Sequence, residues 1–183
     1  MGADARLKSA LMEVLQTKKI DDITVQELLD RADVSRPTFY RHYCDKYDLL
    51  AAAFDDMWDE LHAELDTGDS LLKGISKSLL GYRDNIFLLR NALSSHDANN
   101  LKNRAREKAF EVFSQYLGNK SADMSDEDNR AALSIYCYGL IYNFVEWTKQ
   151  VASISGDSFI NQMMMAFPVC FEEYLPEEIR PKP

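Results

Sequence analysis

Three helix-start signals fall within about 22 residues of this chain, and that density leaves little freedom for what the segment can become. Thr24 reads as an N-cap with Glu27 three positions on to close a capping box, and Ile23 is placed to staple against Leu28. Ser35 is a second N-cap, with Pro37 in the first turn and Val34 set to staple against Phe39. Asp45 is a third, with Asp48 at the third helical position. Starts this close together allow only short helices, so the spacing predicts a two-turn helix from Val25, a three-residue turn at Asp33-Val34-Ser35, and a second short helix behind it.

The flanking pattern is helical throughout. Leu7, Leu11, Val14 and Leu15 recur at helical spacing and predict a first amphipathic helix over residues 3–18. Leu49, Leu50, Phe54, Met57, Trp58, Leu61 and Leu65 form the apolar stripe of a fourth. Further segments are expected near 70–82, 85–94, 98–117, 126–152 and 157–174, separated by stretches rich in Gly, Ser, Asn or Asp. Strand-like alternation is missing. The expected fold is all-α, with about nine helices: an N-terminal three-helix bundle holding the helix-turn-helix, then a larger helical domain for ligand binding and dimerisation. The expected limits are 1–48, 49–175 and a frayed tail at 176–183.

With 46% hydrophobic and 11% aromatic residues the chain has ample material for a core. Cys44, Cys137 and Cys170 lack C-x-x-C spacing and read as reduced thiols, so neither a disulfide framework nor a metal site is expected. The longest apolar run, residues 163–171, is too short to span a bilayer and is interrupted by Pro168. No membrane association and a cytoplasmic location are therefore expected. The net charge of −9 counts against nucleic acid until its distribution is considered. Residues 51–183 hold 13 Lys and Arg against 21 Asp and Glu, whereas residues 31–46 hold four basic residues, Arg31, Arg36, Arg41 and Lys46, against two acids. A small basic footprint sits on the two short helices.

Two short helices with a three-residue turn, the second presenting Arg, Thr and Tyr, are the ingredients of a helix-turn-helix whose second helix enters the major groove. Val25, Leu28, Leu29, Ala32, Val34, Phe39 and Tyr43 are expected to face Leu11, Val14 and Leu15, leaving Arg36, Thr38, Tyr40 and Arg41 outside. The chain resembles the TetR family here: a threonine-led Thr24-Val25-Gln26-Glu27, then Ala32-Asp33-Val34-Ser35, Thr38-Phe39-Tyr40-Arg41-His42-Tyr43, Lys46 and Leu49. Asp33 stands where the family has a turn glycine, Pro37 where it has a glycine before the threonine, and Tyr43 where it has phenylalanine. Asp tolerates a left-handed backbone and Pro a first helical turn, so neither breaks the motif. The resemblance implies a homodimeric transcriptional regulator, a repressor, bound to a palindromic double-stranded operator. Arg36, Pro37, Thr38 and Arg41 would face base edges. Thr24, Tyr40 and Lys46 would hold phosphates, and Ser35 completes the DNA-binding set. His42 is assigned a structural hydrogen bond.

The resemblance also implies a dimer interface built from the last two long helices, to which Gly139, Trp147, Met163, Met164 and Phe167 are assigned. An effector pocket is expected from Trp58, Phe87, His96, Phe110, Phe113 and Tyr142, for a small-molecule effector that is uncharged or aromatic. Tyr136-x-Tyr138-Gly139 followed by Glu146-Trp147 is similar to a TetR subgroup that includes regulators linked to dihydroxyacetone kinase operons, some of which answer to a protein partner. The alternative function is accordingly a helical coregulator that senses a protein. Enzyme activity and a bound cofactor are not expected: the chain has no Gly-rich phosphate loop, no H-E-x-x-H and no G-x-S-x-G, and His42, His62 and His96 lack partners at motif spacing.

Overall fold

The computed structural model describes residues 2–62, 85–95, 101–149 and 156–175, and among them every regular element is helical. Eight α-helices are found: α1 (Ala3–Leu15), α2 (Val25–Ala32), α3 (Arg36–His42), α4 (Lys46–His62), α5 (Ile86–Ala92), α6 (Leu101–Asn119), α7 (Glu127–Lys149) and α8 (Gly156–Met165). Short 3-10 segments lie at Ile20–Asp22 and Val169–Tyr174. The segment expected at 70–82, His96 and the tail at 176–183 lie outside the described residues.

All three caps form. The Thr24 hydroxyl accepts from the Glu27 N–H at 3.1 Å, Ser35 Oγ accepts from the Thr38 N–H at 3.3 Å, and Asp45 Oδ1 accepts from the N–H groups of Tyr47 and Asp48 at 2.8 and 2.9 Å. The return leg of the capping box differs from the expectation, because the Glu27 carboxylate is taken by Lys18 Nζ at 2.7 Å. The turn between α2 and α3 runs through Asp33 with φ 50° and ψ 54°, a left-handed conformation that explains why a glycine is usual there. Asp33 also pairs with Arg6 across 3.6 Å.

The chain forms two compact units. In the first, α1 packs on α2, α3 and α5, and Leu7, Leu11, Leu15, Ile20, Leu28, Phe39, Leu49 and Leu89 are wholly buried. Residues 84–104 return to this unit, and Asn91 caps the end of α1 by donating to the Leu15 carbonyl at 2.8 Å. Helix α1 therefore stops at Leu15 rather than at residue 18. Val25, expected inside, is only half-buried.

The second unit is organised by aromatic rings. Phe113, Tyr136 and Phe167 meet pairwise at 5.0 to 5.8 Å, and Phe171 extends the cluster from Phe167 at 6.3 Å. Phe144, Trp147 and Phe159 form a second group. The helix expected to reach residue 174 ends at Met165, since Pro168 has no N–H to continue the ladder and disfavours helical backbone before it. Cys137 lies wholly buried in this unit, and burial pushes its thiol up to about 12, while Cys44 and Cys170 are exposed free thiols.

The left-handed Asp33 gives a direct check. Asp33→Gly relieves a strain of about 1 kcal/mol and gives up only an exposed ion pair, so the melting temperature should hold or rise, whereas a β-branched Asp33→Val should lower stability by at least about 1 kcal/mol in denaturant unfolding. Equal stability of the Gly and Val variants would contradict the turn assignment.

Candidate nucleic-acid interface

Helix α3 is held from beneath and displayed from above. Phe39 is wholly buried, and its ring meets Tyr40 edge-on at 5.3 Å and Tyr43 at 5.9 Å. On the other side Ser35, Arg36, Pro37, Tyr40 and Arg41 are exposed, with Tyr40 51% accessible despite its ring. Thr38 is half-buried, and its hydroxyl bonds Ser35 Oγ at 2.9 Å. Thr24 is exposed at the start of α2.

The end of α3 is anchored through Tyr43. Its hydroxyl donates to the Asp4 carboxylate on α1, and Lys8 lies 3.5 Å from Asp4 and 2.7 Å from Asp56 on α4. A chain of polar contacts thus ties α3, α1 and α4. The Tyr43 hydrogen bond, helped by Lys8, holds the Asp4 carboxyl below its ordinary value. Burial, and then the contact with Asp4, pushes the Tyr43 phenol up. His42 has no such role: it is exposed and leans on the Tyr43 ring at 6.2 Å, where a structural hydrogen bond was expected.

The basic footprint is narrower than its four residues suggest. Arg31 is paired with Glu13 at 3.4 Å. Lys46 donates to the carbonyls of Asp21 and Ile23 at 2.8 and 2.7 Å, pinning α4 to the 3-10 turn, where the Tyr47 hydroxyl also reaches Asp21. That spends two of the three ammonium hydrogens and leaves one outward. Arg36 and Arg41 face solvent, and Arg36 donates to Gln26 Oε1 at 2.8 Å while Gln26 donates to Asp30 at 2.7 Å. Gln26 was missed in the sequence. Its signal was an exposed amide on α2 ten residues before Arg36, a separation that only the turn geometry brings together.

The residues assigned to an effector pocket are drawn from both units. Trp58 and Phe87 belong to the first unit, Trp58 buried and Phe87 exposed beneath the Arg90 guanidinium at 5.0 Å. Phe110, Phe113 and Tyr142 belong to the second, where Phe113 is core and Tyr142 is exposed. Of the residues assigned to a dimer interface, Trp147, Met163, Met164 and Phe167 are buried in the single chain and Gly139 is exposed. Helix α7 is apolar nearly all round, and the sequence pattern therefore did not say which side its neighbours cover. The uncovered side carries Ile135, Tyr138 and Tyr142.

A capped pair of short helices with a basic, outward second helix defines the helix-turn-helix class of DNA-binding domain. Residues 8–53 match the N-terminal domain of the bacterial regulatory proteins of the tetR family. The helix-turn-helix-type transcriptional regulator YxbF of Bacillus subtilis (strain 168) is 36% identical over 59 residues, which are 32% of this chain and 16% of that protein's length. Among solved structures, a TetR transcriptional regulator from Rhodococcus sp. RHA1 superposes with a TM-score of 0.63 at 16% identity, covering 96% of this chain and 100% of that one. NalD of Pseudomonas aeruginosa, the secondary repressor of the MexAB-OprM multidrug efflux pump, gives 0.60 at 16% identity over 90% and 94% of the two chains. RolR gives 0.58 at 17% identity over 98% and 97%. The N-terminal domain of the tetR family thus lies at residues 8–53, and the whole chain has the fold of the solved TetR regulators.

The Asp4–Tyr43 bond predicts a pH signature. Because the folded Asp4 pKa lies below the 3.8 of the free group, its contribution is fully present above about pH 4 and is lost as pH falls through the folded value. Tyr43→Phe should cost about 1 kcal/mol at pH 7, and the gap from the parent should close below pH 4 in urea unfolding. A gap that is constant from pH 7 to pH 3 would show that the contribution of Tyr43 does not depend on the charge of Asp4.

Proposed function

We propose that this chain is a sequence-specific operator-binding repressor that acts as a homodimer and is modulated by an effector in its second unit. Residues 1–48 serve as the DNA-binding domain and 49–175 as the effector and dimerisation domain. The observation that carries the reading is the two-sided character of α3: Phe39 and Tyr43 fasten it inward while Arg36, Pro37, Tyr40 and Arg41 are presented outward. Arg36 matches the paired O6 and N7 acceptors of guanine, and the Gln26–Asp30 relay orients it before DNA arrives. Arg41 carries a second outward guanidinium, and Thr38 and Pro37 offer methyl and ring contacts to a thymine. Thr24, Ser35, Tyr40 and the remaining Lys46 hydrogen serve the phosphates that set register. An overall charge of −9 is tolerable because affinity depends on the field at the groove, where Arg36 and Arg41 stand.

Two recognition helices must reach half-sites about one helical turn apart, so the reading requires a dimer. The face that suits it is the exposed stripe Ile135, Tyr138 and Tyr142 on α7, with Gly139 beside it. Apart from its chain neighbours and its own helix backbone, no atom lies within 4 Å of where a Gly139 side chain would begin, so a partner helix can approach closely. No helix among the described residues is long and apolar enough to cross a membrane, which agrees with a cytoplasmic regulator. Repression is the proposed sign because a dimer seated on promoter DNA excludes other proteins by its bulk.

Once an operator is isolated, Arg36→Ala should cost about 1–3 kcal/mol on it and relax specificity at one base pair, whereas Lys46→Ala should weaken operator and random DNA alike and lower the salt slope by about one. Operator affinity unchanged in both would overturn the orientation of α3. A charge at the dimer stripe, Ile135→Asp or Tyr142→Asp, should yield a folded monomer in sedimentation and weaken operator binding at least tenfold. A stable dimer in both variants would place the interface elsewhere.

A further inference from the structure

On the flank of the α7 stripe, between α6 and α7, lies an open groove of about 470 Å³ whose lining includes Arg106, Phe110, Arg130 and Cys137, with Glu107 and Glu111 on its α6 side. Its size falls within the range of small-molecule sites. Both arginines are held by aromatic rings: the Arg106 guanidinium stands 3.8 Å from the centroid of Tyr138, and that of Arg130 stands 5.5 Å from the centroid of Phe110. A guanidinium held by a ring face is positioned without spending its N–H donors. Among the described residues neither guanidinium makes a hydrogen bond or ion pair, although two carboxylates line the same groove. Two pre-positioned, unpaired guanidiniums beside an apolar ring are the donor set for a planar anion with a flat apolar body.

The carboxylates set the limit on charge. Glu107 and Glu111 are exposed, so they turn to solvent when one negative charge enters but oppose a second and third. We propose that this groove binds a small aromatic monocarboxylate, its carboxylate on Arg106 and Arg130 and its ring against Phe110, and that polyanions are discriminated against. This keeps the aromatic character expected of the effector and adds one negative charge to it. It rests on the reading of the second unit as the sensing part, but it is tested without DNA, so that failure here leaves operator binding untouched.

The test is calorimetric titration of the full chain with 2-naphthoate, 2-naphthamide and pyrophosphate. Because a charge-assisted hydrogen bond contributes more than a neutral one, naphthoate should bind at least about tenfold more tightly than the amide of the same shape. Pyrophosphate should bind more weakly than naphthoate. Arg106→Gln with Arg130→Gln should erase the preference for acid over amide while leaving the melting temperature close to the parent's, because both side chains lie on the surface of the unit. Should that pair of changes unfold the protein, Arg130→Lys, which keeps the charge but not the planar fork, should still cut naphthoate affinity several-fold. Equal affinity for acid and amide, no binding of either, tighter binding of pyrophosphate, or an undiminished preference in the folded arginine variants would each overturn the proposal.

Discussion

Helix α3 is only seven residues long, too short to stand as a helix by its own hydrogen bonds, so its existence depends on Phe39 being taken into the core of the first unit. Complete burial of one phenylalanine contributes about 2–3 kcal/mol, comparable to the cost of ordering a few residues of backbone. The Ser35 cap and Pro37 set where the helix begins, and the Tyr43–Asp4 bond sets where it ends and how it is rotated against α1. Everything presented to the groove inherits its position from that inward anchor. Under the proposed function, removing Arg36 or Arg41 changes what is read, whereas removing Phe39 removes the reader.

The same economy explains why so few charges suffice. Arg31, Lys46, Lys8 and Lys18 are all engaged in tying elements together, through Glu13, the carbonyls of residues 21 and 23, Asp4 with Asp56, and Glu27. Most of these pairs are exposed, and each contributes little alone. Their effect is to fix geometry: Lys46 closes the 3-10 turn onto the start of α4, and Lys8 joins α1 to α4. Arg36 and Arg41 remain for the recognition proposed above. A chain of net charge −9 thus presents a locally positive surface without being basic.

What was legible in the sequence were the features written in local spacing. The caps at Thr24, Ser35 and Asp45, the turn at Asp33 and the inward set Leu28, Leu29, Phe39 and Tyr43 depend on neighbours within a few residues, and local stereochemistry determines them. Contacts between distant residues were not legible. Asp4 with Tyr43, Asn91 with the end of α1, and Lys46 with the carbonyls of residues 21 and 23 join positions 23 to 76 apart, and no periodicity announces them. The apolar helix α7 shows the other limit. Trp147 and Tyr138 look equivalent in a hydrophobicity pattern, yet one is buried and the other exposed, because the deciding fact is which side its neighbours cover.

The central claim is that α3 reads DNA sequence from a dimer. It is tested most directly by incubating the full chain with fragmented genomic DNA from its source, sequencing what is retained across a salt series, and measuring the mass of the protein and of its complex. The account predicts enrichment of a palindromic site with half-sites about one helical turn apart, bound by two copies and released as salt rises. A folded protein that retains no sequence preferentially at any salt concentration would contradict it.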